Sequence, residues 1–137
     1  MPVLDTRILV DLMRKHHGHT PRRTIAAIRA IVSSDQELMT TRFNVAERQV
    51  GTEPSADQVA EAARIDAALR AFRTLEFDHI AARIYARNEA SVRGMGRPVR
   101  DFDALIASVA IHYGQVLVTR NPLHFASLSG LNPHPVA

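Results

Sequence analysis

Four side chains with hard oxygen donors follow predicted strands or lie in predicted helices. Asp5 comes directly after an apolar run, Glu47 lies in a short helix, Asp103 lies near a helix start, and Asn121 follows an apolar strand. Carboxylate and carboxamide oxygens suit magnesium or manganese and are poor ligands for copper or zinc. If the fold brings these groups together, they would form a Mg²⁺ or Mn²⁺ site.

Electrostatics favours a cation wherever these carboxylates converge. Two carboxylates about 4 Å apart repel by roughly 4 kcal/mol at an effective dielectric near 20. A third can then stay ionised only beside a positive charge. Each residue alone also has an ordinary explanation, because Asp is a common helix cap and Glu a common solvated helix residue. Only a shared location favours the metal site.

Strand and helix patterns alternate along the chain. Short apolar runs predict strands at 2–4, 38–41, 74–77 and 115–119. Helical spacing and capping residues predict helices from about Ile8 and over 21–32, 43–50, 55–72, 79–91 and 101–113, the fifth of them capped by Asp78. This order predicts an α/β fold with a mostly parallel central sheet and helices on both faces.

The predicted topology places the four polar side chains at one edge. Ligands of open parallel sheets collect at the carboxyl ends of the strands, where Asp5, Glu47 and Asn121 all belong. The helix with Asp103 leads into the strand 115–119, so it runs antiparallel to that strand and begins at the same edge. Asp101 lies two positions away, about 200° around the helix, and is interpreted as an N-cap with a secondary role.

Composition limits the possible classes of protein. The 137 residues fit one domain, 1–137, in which 132–137 is expected to be a loose tail. The absence of cysteine excludes disulfides, thiolate metal sites and a thiol nucleophile. No run is apolar enough for a membrane span, so a cytoplasmic location is expected. The 17 basic residues are almost all arginine, which makes a nucleic-acid partner plausible.

Four stretches resemble the motifs of VapC-type PIN-domain toxins, in matching order over nearly the whole chain. They are Leu4–Thr6, TTRFNVAERQVG around Glu47, GRPVRDFDALIAS around Asp103, and LVTRNPLHF around Asn121. The resemblance implies a Mg²⁺- or Mn²⁺-dependent endoribonuclease, inhibited by a cognate antitoxin and assembled as a homodimer. Its acidic positions fall on Asp5, Glu47 and Asp103, with Asn121 fourth and Thr6 supporting the first.

Two positions depart from the pattern of that family. Arg7 stands where a small or amide residue is common, and His124 stands where an Asp is frequent. One firmly held ion is therefore expected, and a second is left open. Arg7 either contacts a substrate phosphate or points to solvent. Three further arginines at the predicted rim either guide RNA or form an ordinary solvated loop: Arg93, Arg97 and Arg100.

Other interpretations remain open from the sequence. A catalytically idle module with this fold would bind RNA or a protein without cleaving anything, and DNA is a possible substrate. A phosphotransferase with an Asp nucleophile is disfavoured, because such sites commonly carry a second Asp where this chain has Arg7. The histidines at 16, 17 and 19 fit a polar loop better than a metal site. The apolar face of 55–72 fits core packing or a protein interface.

Overall fold

The computed structural model describes residues 2–6, 8, 22–33, 37–50, 56–96, 99, 101–119, 122–125, 128, 130–131 and 133–135. The strands in these ranges are β1 (Val3–Leu4), β2 (Met39–Thr41), β3 (Arg73–Leu75), β4 (Leu117–Thr119) and β5 (Pro133–Pro135). The helices are α1 (Arg22–Val32), α2 (Arg42–Val50), α3 (Gln58–Leu69), α4 (His79–Gly94) and α5 (Asp101–His112), with a 3-10 helix at Pro122–Phe125. The predicted α/β fold class is confirmed.

The strands form one parallel sheet in the order β3-β2-β1-β4-β5. In the middle, Val3 of β1 pairs with Met39 of β2 on one side and with Leu117 of β4 on the other. β2 and β3 therefore lie on one side of β1, and β4 and β5, which come later in the chain, lie on the other side. Such a point of reversal is where open α/β sheets bind ligands, beyond the carboxyl ends of the strands.

Alternating strand residues pack into two apolar clusters on opposite faces of the sheet. Val3 and Leu117 belong to the larger cluster, which includes the buried faces of α4 and α5. Leu4 and Val118 belong to the smaller cluster, against which Ile31 of α1 packs. Both faces of the sheet are thus covered by helices, which explains why β1 and the first two residues of β4, in the middle of the sheet, are apolar and buried.

An N-cap links the beginning of α4 to the end of α5. The Ala81 N–H donates to Asp78 Oδ1 at 2.9 Å, and Asp78 Oδ2 lies 2.9 Å from His112 Nε2. The cap bond from Ala81 lowers the pKa of Asp78, and the hydrogen bond and charge of His112 lower it further. Because Asp78 precedes α4 and His112 ends α5, the two packed helices run antiparallel. The predicted role of Asp78 as a helix cap is confirmed.

The third strand and the carboxyl-terminal segment differ from the sequence predictions. β3 covers Arg73–Leu75 instead of 74–77, because its partner β2 is three residues long and ends where Thr41 caps α2. The expected loose tail instead contains β5, which pairs in parallel with β4. Proline lacks a donor N–H and is tolerated mainly at sheet edges, which is the position that Pro133 and Pro135 occupy.

Helix α3 is shorter than predicted within the described residues. It begins at Gln58 rather than near Ser55, because Asp57 is its N-cap and accepts a hydrogen bond from the Ala60 N–H at 3.2 Å. None of the helices in the described ranges is long and apolar enough to cross a membrane. The predicted helix after Ile8 and the histidines at 16, 17 and 19 lie mostly or wholly outside the described residues.

Candidate functional site

Asp5 lies at the reversal point of the sheet, one residue beyond β1. Its Oδ1 accepts the Thr6 N–H at 2.7 Å, and its Oδ2 accepts the Thr119 hydroxyl at 2.8 Å. The backbone N–H of Asp5 continues the ladder by donating to the Val118 carbonyl at 2.9 Å. Asp5 is only 8% exposed. The end of β4 and the turn after β1 therefore fix this carboxylate in one orientation.

Thr6 connects Asp5 to helix α2. The Thr6 hydroxyl donates to Glu47 Oε1 at 2.9 Å and accepts a hydrogen bond from Asn44 Nδ2 at 3.0 Å. Asn44 also donates to the Leu4 carbonyl at 3.3 Å. Glu47 and Asn44 are three positions apart, so they lie on the same face of α2. The predicted residues Asp5, Thr6 and Glu47 are thus brought together by hydrogen bonds.

A reciprocal cap fixes the start of α2 and, with it, the direction of Glu47. The Asn44 N–H donates to Thr41 Oγ1 at 3.2 Å, while Asn44 Oδ1 accepts the Thr41 N–H at 3.1 Å and its hydroxyl at 2.7 Å. This is the capping-box pattern, with Asn in place of the usual Glu or Gln. Asn44 is fully buried. Its amide therefore joins the cap of α2 to the end of β1.

Asp103 is buried in the first turn of α5, with 6% of its surface exposed, whereas Asp101 is exposed. Helix α5 contacts α2, and the Phe102 ring lies 6.3 Å from the Phe43 ring, centroid to centroid. The first turn of α5 therefore packs beside the helix that bears Glu47. The different exposure of the two aspartates agrees with their wide angular separation on the helix.

The donor chemistry of this edge fits a hard divalent cation. An ionised carboxylate offers about four lone-pair sites, and Asp5 uses one on each oxygen for Thr6 and Thr119. The hydrogen bonds of the described residues thus leave one lone pair on each oxygen. Nevertheless, among the residues that the structure describes, no group of three or more His, Asp or Glu side chains is arranged to hold a metal ion. The convergence of Asp5, Glu47 and Asp103 on one ion therefore stays a prediction.

The remaining predicted site residues are only partly described. Arg93 is 74% exposed and forms an ion pair with Glu89 at 2.8 Å, so a carboxylate already offsets part of its charge. Four of the predicted residues lie outside the described residues: Arg7, Arg97, Arg100 and Asn121. The backbone of His124 belongs to the 3-10 helix.

Two contributors to this network, Asn44 and Thr119, were not predicted as site residues from the sequence. Asn44 could have been found through the T-x-x-N pattern from Thr41, which has capping-box spacing before a helix. Thr119 ends a buried strand adjacent to β1, so its hydroxyl lies at the same edge as Asp5. A threonine at the carboxyl end of such a strand was the available signal.

Replacing Asn44 by Ala should destabilise the fold markedly. The change removes the reciprocal cap and leaves the buried Thr41 N–H and Leu4 carbonyl without this partner. A loss of about 2–3 kcal/mol in the free energy of unfolding is expected from these terms. Urea denaturation followed by circular dichroism would measure it. Arg42→Ala, which removes an exposed ion pair on the same helix, should have a much smaller effect, and equal losses would contradict the role of Asn44.

Comparison with known proteins agrees with the motif resemblance. The family model described as PIN domain matches residues 3–130, which is most of the chain. The chain is an α/β protein with a parallel sheet, and this family match shows that it belongs to the PIN-domain family. Among curated protein sequences, no match to this chain is found.

Several solved structures share the fold over nearly their whole length, among them a member of the VapBC family of toxin-antitoxin systems. VapBC2 from Rickettsia felis, bound to a promoter DNA fragment, gives a TM-score of 0.82 at 22% identity, covering 99% of this chain and 98% of that one. VapBC-5 from Mycobacterium tuberculosis gives 0.69 at 27% identity, with 98% of both chains covered. FitAcB from Neisseria gonorrhoeae gives a TM-score of 0.78 at 22% identity, covering 97% of this chain and 96% of that one. The predicted resemblance to VapC-type PIN proteins is confirmed.

Proposed function

We propose that this protein is a Mg²⁺- or Mn²⁺-dependent endoribonuclease that acts as the toxin of a toxin–antitoxin pair. The observation on which the proposal rests most directly is the carboxylate of Asp5. It is buried at the reversal point of a PIN-domain sheet and oriented by Thr6 and Thr119, and its hydrogen bonds to the described residues leave a lone pair on each oxygen. A buried carboxylate with this geometry is suited to bind a cation.

The described residues suggest distinct roles in that site. Asp5 and Asp103 are the buried carboxylates and would be the principal ligands, while Glu47 is oriented through Thr6 and would complete the set. By the motif resemblance, Asn121 would position water or a phosphate oxygen. When bound, the divalent cation would activate water and stabilise the charge that develops on the phosphate.

An antitoxin partner and self-association belong to the same proposal. The similar structures from Rickettsia felis and Mycobacterium tuberculosis are VapBC proteins, the latter described as a toxin-antitoxin system. A cognate antitoxin with a basic segment would complement the acidic edge of this chain. We also propose a homodimer that works in the cytoplasm. Recovery of a small protein partner on purification from the native host would support this half of the proposal.

A cleavage assay tests the nuclease half. Purified chain is incubated with single-stranded RNA, double-stranded RNA and DNA under Mg²⁺, Mn²⁺ or excess chelator, beside Asp5→Asn protein prepared identically. RNA cleavage is expected only with the metals and only in the parent, because hard oxygen donors suit these ions. Cleavage that persists in chelator, or equally in the variant, would contradict the proposal.

The idle module predicts a different result in the same assay. Binding of RNA without cleavage under either metal would favour a catalytically inactive PIN domain. That outcome would agree with the lack, within the described residues, of a group of three carboxylates arranged around one ion. Cleavage of DNA in preference to RNA would keep the metal site and change the substrate.

A further inference from the structure

Arg48 is half-buried, and its guanidinium includes a buried nitrogen for which the described residues supply no acceptor. Its Nε atom is buried without a hydrogen bond. Three other arginines of the described ranges each bind a carboxylate at the surface: Arg42 with Glu76, Arg64 with Glu61, and Arg93 with Glu89. Burying part of a guanidinium without an acceptor costs free energy, which a ligand that supplies an acceptor would recover.

The position of Arg48 on α2 relates it to the candidate site. Asn44, Glu47 and Arg48 stand at positions i, i+3 and i+4, so they share one face of the helix. The Asn44 and Glu47 side chains on that face both contact Thr6, next to Asp5. Exposed residues of α2, such as Ala46 and Val50, lie on other faces. Arg48 therefore lies beside the acidic network rather than on the solvent side of the helix.

A phosphate is the ligand whose chemistry matches this guanidinium. Arginine stays charged at all accessible pH values, and its planar fork matches two oxygens of a phosphate. An acidic site also repels an RNA backbone, so a nearby unpaired cation would favour the approach of that backbone. The neighbouring Glu47 side chain is directed toward Thr6, because its Oε1 accepts the Thr6 hydroxyl.

We propose that Arg48 binds a backbone phosphate of the RNA substrate beside the Asp5–Thr6–Glu47 network. The inference rests on the proposed nuclease function and adds to it a substrate-binding residue. The alternative is purely structural, in which the aliphatic part of Arg48 covers apolar surface between helices. The two differ in what is lost on substitution, since a structural role affects stability and not the dependence of RNA binding on salt.

Arg48→Met tests the proposal because it keeps an unbranched apolar chain and removes the charge. Arg29→Met is the matched control. Arg29 is exposed in the last turn of α1, and this end of α1 precedes the start of β2. It therefore lies at the edge of the sheet opposite to the candidate site. Cleavage kinetics of a labelled single-stranded RNA and its equilibrium binding in excess chelator are measured for both variants. Thermal melts check that each variant is folded.

The expected result is a KM raised about tenfold or more for Arg48→Met, with a smaller change in kcat, because a lost phosphate contact weakens substrate binding. The slope of log affinity against log salt should fall by about 0.7, the value for one phosphate contact on a single strand. Arg48→Lys should recover part of the affinity. Arg29→Met should match the parent in both measurements.

Two outcomes would overturn the proposal in distinguishable ways. If the parent cleaves RNA and folded Arg48→Met matches it in KM and salt slope, Arg48 is not a phosphate ligand and the proposed function stands. If the parent neither binds nor cleaves RNA, the proposed function fails and the inference fails with it. In the first case, a lower melting temperature of Arg48→Met would establish the structural role instead.

Discussion

Asp103→Asn should reduce RNA cleavage by more than about 100-fold, while Asp101→Asn should leave most of it. Substituting residues that only support metal ligands costs about 10- to 100-fold, so losing a principal ligand should cost more. Asp103 is buried in the first turn of α5, and Asp101, two positions earlier, is exposed. The pair is a matched comparison, because both changes replace one carboxylate by an amide on the same helix turn.

Initial rates of cleavage under saturating Mg²⁺, with thermal melts of both variants, would measure this difference. Asn is nearly the same size as Asp, so neither variant should unfold. Equal losses in the two variants would show that the first turn of α5 does not direct Asp103 alone toward the site. Full activity in Asp103→Asn would remove it from the candidate ligands.

The strands and helices were predictable where hydrophobic pattern and capping residues agree. The strand ending at Leu4 and the strand ending at Thr119 are short apolar runs, and both are buried on both faces, as parallel strands require. Asp78 was identified as a cap because it precedes a helical pattern, and the structure shows its bond from Ala81. Local chemistry sufficed for these elements.

β5 was not predictable from local chemistry. Its Pro-His-Pro sequence has low strand propensity, and its pairing depends on the exposed edge that β4 offers. Likewise, β3 is limited to three residues by its partner β2 and not by its own sequence. Pairing with a neighbouring strand therefore determines where β5 forms and where β3 ends.

The candidate site was predictable in its location but not in its hydrogen bonds. The rule for parallel sheets placed Asp5 and Glu47 at one edge, and the structure links them through Thr6. The T-x-x-N spacing indicates that Asn44 caps α2, but its bonds to Leu4 and Thr6 span from α2 to the end of β1, and no spacing along the sequence encodes those. Whether Asp103 joins the same ion depends on how closely α5 packs against α2, which sequence patterns do not determine.

The geometry around Asp5 predicts that Asp5→Asn folds and Asp5→Ala is destabilised. In Asp5→Asn, the amide oxygen can still accept the Thr6 N–H, and the amide nitrogen can donate to Thr119 Oγ1 if that hydroxyl turns its proton elsewhere. In Asp5→Ala, both donors lose a buried acceptor, which should cost about 2 kcal/mol or more. Removing a mostly buried negative charge near other acidic groups should keep the metal-free Asp5→Asn at least as stable as the parent.

The gain in stability on adding Mg²⁺ should distinguish the parent from Asp5→Asn most clearly. An ion that binds only the folded state stabilises it by RT ln(1 + [L]/Kd), about 2.7 kcal/mol at a hundredfold excess over Kd. The parent should gain this stability, and Asp5→Asn should lose most of the gain because a principal ligand is neutral. Thermal melts in chelator and then in millimolar Mg²⁺ would measure both shifts, with Asp101→Asn as the exposed-carboxylate control. If Asp5→Asn melts below the parent in chelator and still shows the full Mg²⁺ shift, Asp5 serves only to hold Thr6 and Thr119 in place.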